Sequence, residues 1–75
     1  MKSKFTAILR REEDLYVAFT PDLDIASQGL SPEEALLNLK EAVSLFLECA
    51  PADEVSGRLT EDAWITQFEA EYAPA

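Results

Sequence analysis

The chain lacks histidine altogether and has a single cysteine, Cys49. Without histidine the commonest general base and metal ligand is missing, so Ser-His and Cys-His nucleophile arrangements cannot be built. One cysteine cannot form an internal disulfide, which suits a reducing compartment. With only two glycines, Gly29 and Gly57, no glycine-rich phosphate loop is present. We therefore expect a protein that is not an enzyme and that uses no cofactor and no bound metal ion.

Positive charge is also scarce, because six Lys and Arg residues stand against fifteen Asp and Glu, giving a net charge of −9. Nucleic-acid binding draws on basic residues that release counterions from phosphates, so direct binding of DNA or RNA is not expected. The acidity either attracts a basic protein or only maintains solubility. The N-terminal sequence has no apolar run long enough for a signal peptide or membrane span, which predicts a cytoplasmic protein.

The length of 75 residues predicts a single domain, spanning residues 1–75. A domain of this size buries only about 60% of the surface that its unfolded chain exposes. Association with another chain is the usual way to hide the remainder when disulfides and metals are missing. We therefore expect the chain to associate, either with copies of itself or with another protein.

In residues 4–10 and 15–20, successive side chains alternate between two faces with the period of a β-strand. The charged segment between the two runs is short enough for a hairpin loop. Pro21 breaks the second strand, and residues 25–27 predict a short third strand. Gly29 ends that strand and is expected at positive φ. The predicted core faces of the first two strands are Phe5, Ala7 and Leu9, and Leu15, Val17 and Phe19.

A helix is predicted to start at Pro32, because Ser31 and Glu34 form a capping box. In that motif the Ser31 hydroxyl accepts the Glu34 N–H, and the Glu34 carboxylate accepts the Ser31 N–H. Pro51 ends the helix near residue 50, and a loop over residues 51–57 follows. The apolar stripe expected to face the sheet is Leu36, Leu39, Val43, Phe46, Leu47 and Ala50.

Leu37 and Leu45 point away from that stripe. They either mark a contact with another chain or are scattered surface apolarity.

The last part of the chain, residues 60–73, fits two periods. Trp64, Phe68 and Tyr72 are spaced four apart, as in a helix, yet apolar and polar residues also alternate there, as in a strand. The aromatic and β-branched content favours a strand, which would aim those three aromatics at one surface as an oligomer interface. The predicted architecture is then α+β, with the order β-β-β-α-β.

Several short motifs in residues 5–48 occur in an order and spacing typical of one family. They are Phe5-Thr6-Ala7, Tyr16-Val17-Ala18, Pro21-Asp22-Leu23, Ser27-Gln28-Gly29, and Ser31 followed by Glu33-Glu34-Ala35-Leu36 and Asn38-Leu39-Lys40-Glu41-Ala42. The chain resembles the HicB-like antitoxins of bacterial toxin-antitoxin pairs. The resemblance implies a small antiparallel sheet with one long helix on one face, a partial RNase H-like fold. It also implies a homo-oligomer, either a dimer or a tetramer, and binding of a small basic RNA-cleaving toxin.

Full antitoxins of this kind carry a further DNA-binding segment, and the resemblance here extends only to the protein-binding half. The expected function is therefore a non-enzymatic acidic module that masks a basic toxin, and the alternative is a self-associating structural domain. The candidate partner-binding residues are the carboxylates of Asp14, Asp22 and Asp24, with Tyr16 as an anchor.

Overall fold

A computed structural model describes residues 4–59 and 64–73. It contains a three-stranded antiparallel sheet, whose strands lie side by side in chain order, and a long helix that lies across one face of the second and third strands. This confirms the predicted α+β class with one long helix on one face of a small sheet. In chain order the elements are β1 (Ile8–Glu12), β2 (Leu15–Thr20), β3 (Ile25–Gly29), α1 (Pro32–Cys49) and α2 (Ala52–Arg58).

The first hairpin is tighter than the sequence suggested. Pairing runs from Ile8 opposite Phe19 to Glu12 opposite Leu15, so only Glu13 and Asp14 remain in the turn. Glu13 adopts a φ of 54°, which a two-residue hairpin turn requires. Strand β1 therefore lies later in the chain than predicted.

The two faces of β2 are the reverse of the prediction. Ala18 and Thr20 are buried under α1, and Tyr16 packs against the same core. The opposite set, Leu15, Val17 and Phe19, is only half-buried on the far face of the sheet. Alternation defines two sets of side chains without saying which one meets the helix. The small side chains of Ala18 and Thr20 let α1 approach the sheet closely.

Strand β1 is exposed along its whole length, since α1 lies chiefly over β3 and β2. Ala7 and Leu9, predicted as core, are therefore exposed. Phe5 alone of that predicted set packs against the core.

The corner between β3 and α1 depends on Gly29, for a reason other than the predicted one. Gly29 does not have a positive φ. A Cβ at this position would lie 2.6 Å from the Ala35 backbone nitrogen and 2.9 Å from Glu34. The strand and the first turn of the helix are thus in contact, and only glycine leaves the space.

Helix α1 begins at Pro32 with Ser31 as its N-cap, as predicted. The Glu34 N–H donates to the Ser31 hydroxyl over 3.1 Å. The Glu34 carboxylate accepts the N–H of Leu30 over 3.2 Å, one residue earlier than the capping box predicts. The buried helix residues are Ala35, Leu39 and Val43, with Phe46 partly buried. Leu47, predicted as part of the stripe, is exposed, because it lines an open groove on the flank of α1.

The C-terminal part of the chain departs most from the prediction. Residues 52–58 form α2 where a loop was expected. Residues 64–73 form neither helix nor strand, so the predicted fourth strand does not form in this segment. Residues 60–63 of that prediction lie outside the described residues. Among the helices described, none combines the length and apolarity needed to cross a membrane.

Candidate interaction site

The described residues offer surfaces and no catalytic cluster. Within residues 4–59 and 64–73, no three His, Cys, Asp or Glu side chains are grouped so that they could hold a metal ion. In the same residues every buried side-chain nitrogen and oxygen has a hydrogen-bond partner. The one buried polar residue there, Thr20, lies beside Asp22, to which its hydroxyl donates. The candidate site is therefore on the exterior.

The four predicted partner-binding residues do not come together. Asp14 lies in the turn before β2, whereas Asp22 and Asp24 lie in the turn after it. A strand rises about 3.4 Å per residue, so the six residues of β2 separate the two turns by roughly 20 Å. Tyr16 lies on the helix side of the sheet and packs against the core. These residues therefore do not form a single binding patch.

Asp22, one of the four predicted partner-binding residues, has a structural role. Its Oδ2 accepts the N–H of Thr6 over 2.7 Å and the hydroxyl of Thr20 over 3.3 Å. The carboxylate thus ties the residues before β1 to the turn after β2. Asp24 is exposed and has a φ of 57°, so its backbone conformation shapes the same turn.

The outer face of α1 carries Leu37 and Leu45, which are 55% and 61% exposed. Their predicted orientation away from the core is confirmed. Three exposed glutamates share this face at helical spacing. We call this face the α1 ridge; its residues are Glu33, Leu37, Glu41, Leu45 and Glu48. The leucines were predicted from the sequence and the glutamates were missed, although each glutamate lies three or four residues from a ridge leucine.

Residues 64–73 expose their aromatic side chains. Trp64, Phe68 and Tyr72 are at least 81% exposed. All three were predicted to form an oligomer interface, and in one copy of the chain they are exposed to solvent. Ile65 is exposed beside them.

A groove runs between the residues that precede β1 and the neighbouring flank of α1. Its volume is about 730 Å³, and apolar side chains dominate its walls. No sequence pattern indicated this groove, although Leu36 and Leu47 belong to the predicted helix stripe that forms one wall. The principal apolar lining residues are Phe5, Ala7, Leu36, Leu39, Val43 and Leu47.

No family model matches the chain, and no solved structure matches it. The chain is 40% identical over 68 residues to a UPF0150 protein of Helicobacter pylori strain J99. That alignment covers 89% of this chain and 94% of the relative, so the two proteins correspond over nearly their whole lengths. The chain belongs to the UPF0150 family.

Proposed function

We propose that the protein is an antitoxin-like, non-enzymatic module that masks a small basic RNA-cleaving toxin. One observation carries the proposal. In the described residues eleven large apolar side chains are exposed, whereas five apolar residues are buried. A protein that exposes this much apolar surface typically covers part of it by binding another molecule.

The α1 ridge is the surface we assign to the basic partner. Helix α1 holds four glutamates and one lysine, Lys40, so its field attracts positive charge. Leu37 and Leu45 lie between the ridge glutamates and supply the apolar contact that a desolvated interface requires. A surface that combines both features fits a basic protein better than it fits a nucleic acid or a small ligand.

The resemblance to HicB-like antitoxins supports the same reading. The residues that carry it extend over the whole sheet and most of α1, which is the part of the molecule that presents the ridge. In that family the corresponding domain blocks the active surface of its toxin. The net charge of −9 then complements the positive surface with which an RNA-cleaving protein holds its substrate.

The first test is affinity purification of the tagged protein from its own host. We expect a small basic protein in fixed ratio, whose RNA cleavage stops when the purified module is added. Recovery of no such protein, or continued cleavage in the mixture, would refute the proposal.

The ridge is tested with the double variant Glu41→Lys/Glu48→Lys. Reversing two charges at the interface should weaken the complex at least tenfold, about 1.4 kcal/mol. It should also reduce the dependence of the association rate on salt concentration. The matched control is Glu13→Lys/Asp14→Lys, which makes the same change of net charge in the β1–β2 turn, off α1. Weakening by the control alone would move the binding surface to that turn.

A self-associating structural domain is the second candidate, and the exposure of Trp64, Phe68 and Tyr72 favours it. In that case the tagged protein would be recovered only with copies of itself, as a discrete oligomer. The presence or absence of a basic protein in the purified material separates the two functions.

A further inference from the structure

Two parts of the chain are left incomplete in a single copy: the outer edge of β1 and residues 64–73. We propose that residues 64–73 of one copy add as a fourth strand along the β1 edge of a second copy. The second copy returns its own segment in the same way, which gives a closed dimer with two-fold symmetry. The inference concerns self-association and does not depend on the toxin proposed above.

Strand β1 is the edge that is open to such an addition. It pairs with β2 on one side, all five of its residues are exposed, and α1 covers it least of the three strands. The outward backbone N–H and C=O groups of an edge strand form a template for another strand. The opposite edge, β3, lies under α1, and the Asn38 side-chain amide donates to its Gln28 carbonyl over 2.8 Å.

Residues 64–73 have the pattern of the strand that would fit. Trp64, Thr66, Phe68, Ala70 and Tyr72 alternate with Ile65, Gln67, Glu69 and Glu71. In one copy the segment is exposed throughout and forms no strand. In an extended strand this period of two places the whole aromatic set on one face. The pattern therefore has a structural use in a complex that it lacks in the isolated chain.

The groove between α1 and the residues that precede β1 lies next to this edge and can receive that aromatic face. It lies between Phe5 and Ala7 on the β1 side and Leu36 and Leu47 on α1, and its volume is about 730 Å³. A strand added along β1 with its aromatic face toward α1 would direct Trp64, Phe68 and Tyr72 at this space. In one copy the described lining of the groove contains no residue from 64–73.

The charges of the two parts are complementary. Residues 1–12 contain four of the six basic residues and one carboxylate, Glu12, whose Oε1 lies 3.9 Å from the Arg10 Nε. Residues 64–73 contain Glu69 and Glu71 and no basic residue. Two copies of net charge −9 repel each other at a distance, so a dimer needs such a local match. With the aromatic face toward α1, the glutamates face the same side of the sheet as Arg10, where opposite charges on neighbouring strands attract.

The area is sufficient for a stable dimer. A buried aromatic side chain contributes about 150–250 Å², so six aromatics in two exchanged segments bury roughly 900–1,500 Å². The surface that they cover on the partner adds a comparable area. The total lies within or above the range of about 1,200–2,000 Å² found for specific interfaces.

The mass of the protein in solution is measured by light scattering after gel filtration. We expect a dimer of the 8.3 kDa chain, and a monomer for Phe68→Asp. Because Phe68 is exposed and outside every helix and strand, the variant should keep the far-UV circular dichroism of the parent. The control is Leu45→Asp on the α1 ridge, which should remain dimeric. A monomeric parent protein, or a dimeric Phe68→Asp, would overturn the proposal.

A charge swap between copies tests exchange directly. One variant carries Arg10→Glu and the other carries Glu69→Lys/Glu71→Lys, so each alone has like charges at both contacts on the side of the sheet that faces away from α1. Each should be mainly monomeric alone, and an equimolar mixture should form a heterodimer in which both contacts are again complementary. If the segment instead folds back onto β1 of its own copy, mixing will not change the mass, and the proposal fails.

Discussion

Gly29 shows that space, and not backbone conformation, can decide whether a residue must be glycine. Its missing Cβ is what lets β3 touch the first turn of α1. Gly57 in α2 is the natural comparison, since a Cβ there would meet nothing within 4 Å. Gly29→Ala should destabilise the fold by about 1–3 kcal/mol through overpacking against backbone atoms.

Gly57→Ala is the matched control and should stabilise the protein by about 0.5–1 kcal/mol, because alanine loses less entropy in a helix. Urea unfolding of the two variants measures both effects. Equal effects from the two substitutions would show that the contact at Gly29 does not limit the fold.

Asp22 illustrates a residue whose sequence suggested binding and whose contacts indicate architecture. Asp22→Ala removes the acceptor of the Thr6 N–H and of the Thr20 hydroxyl. We expect a loss of about 1–2 kcal/mol, since a hydrogen bond to a carboxylate is stronger than a neutral one. Asp24→Gly is the control, because glycine tolerates the positive φ and no side-chain bond is lost. Comparable losses in both variants, measured by urea unfolding, would argue against this role of Asp22.

At the scale of elements, α2 is held to the body by Arg58. Its Nη1 donates to the Leu23 carbonyl over 3.0 Å, and its guanidinium lies 4.6 Å from the centre of the Phe46 ring. Arg58→Gln should cost about 1–2 kcal/mol and release α2, because the cation–π contact and a bond to a buried residue are lost. Amide hydrogen exchange should then quicken in residues 52–58 before it quickens in the sheet.

Glu54→Gln separates the contributions of Arg58. It removes only the exposed ion pair with Arg58, in which the two side-chain atoms are 3.3 Å apart. Such a pair is worth about 0.3–0.5 kcal/mol, so α2 should keep its protection. Rapid exchange in this control would assign the docking of α2 to the ion pair instead.

The elements differ in how far the sequence determines them. The start of α1 was predictable, because Ser31, Pro32 and Glu34 each favour the same boundary. The faces of β2 were not, since both of its alternating sets contain apolar residues and only packing against α1 selects one. Helix α2 was missed because Pro51 and Gly57 suggested a loop. Its acidic first turn and basic last residue were the overlooked helix signals.

For the whole molecule, the sequence predicts the need for a partner more readily than the place where it binds. The size and the acidity are properties of composition, so they are visible without a fold. The groove beside β1 is not, because it arises from residues far apart in the chain that meet only when α1 lies off-centre on the sheet. For the same reason the predicted acidic patch divided into two distant turns.

The order of the elements has a consequence for the time course of assembly. Both sheet pairings join strands that are neighbours in the sequence, and α1 begins three residues after β3 ends. Contacts between nearby segments require little loop closure, so this topology folds quickly. The encounter of two acidic copies is slower and depends on concentration. For the dimer proposed above, the rate at which finished dimer accumulates would then be set by how much protein the cell makes, and not by how fast each chain folds.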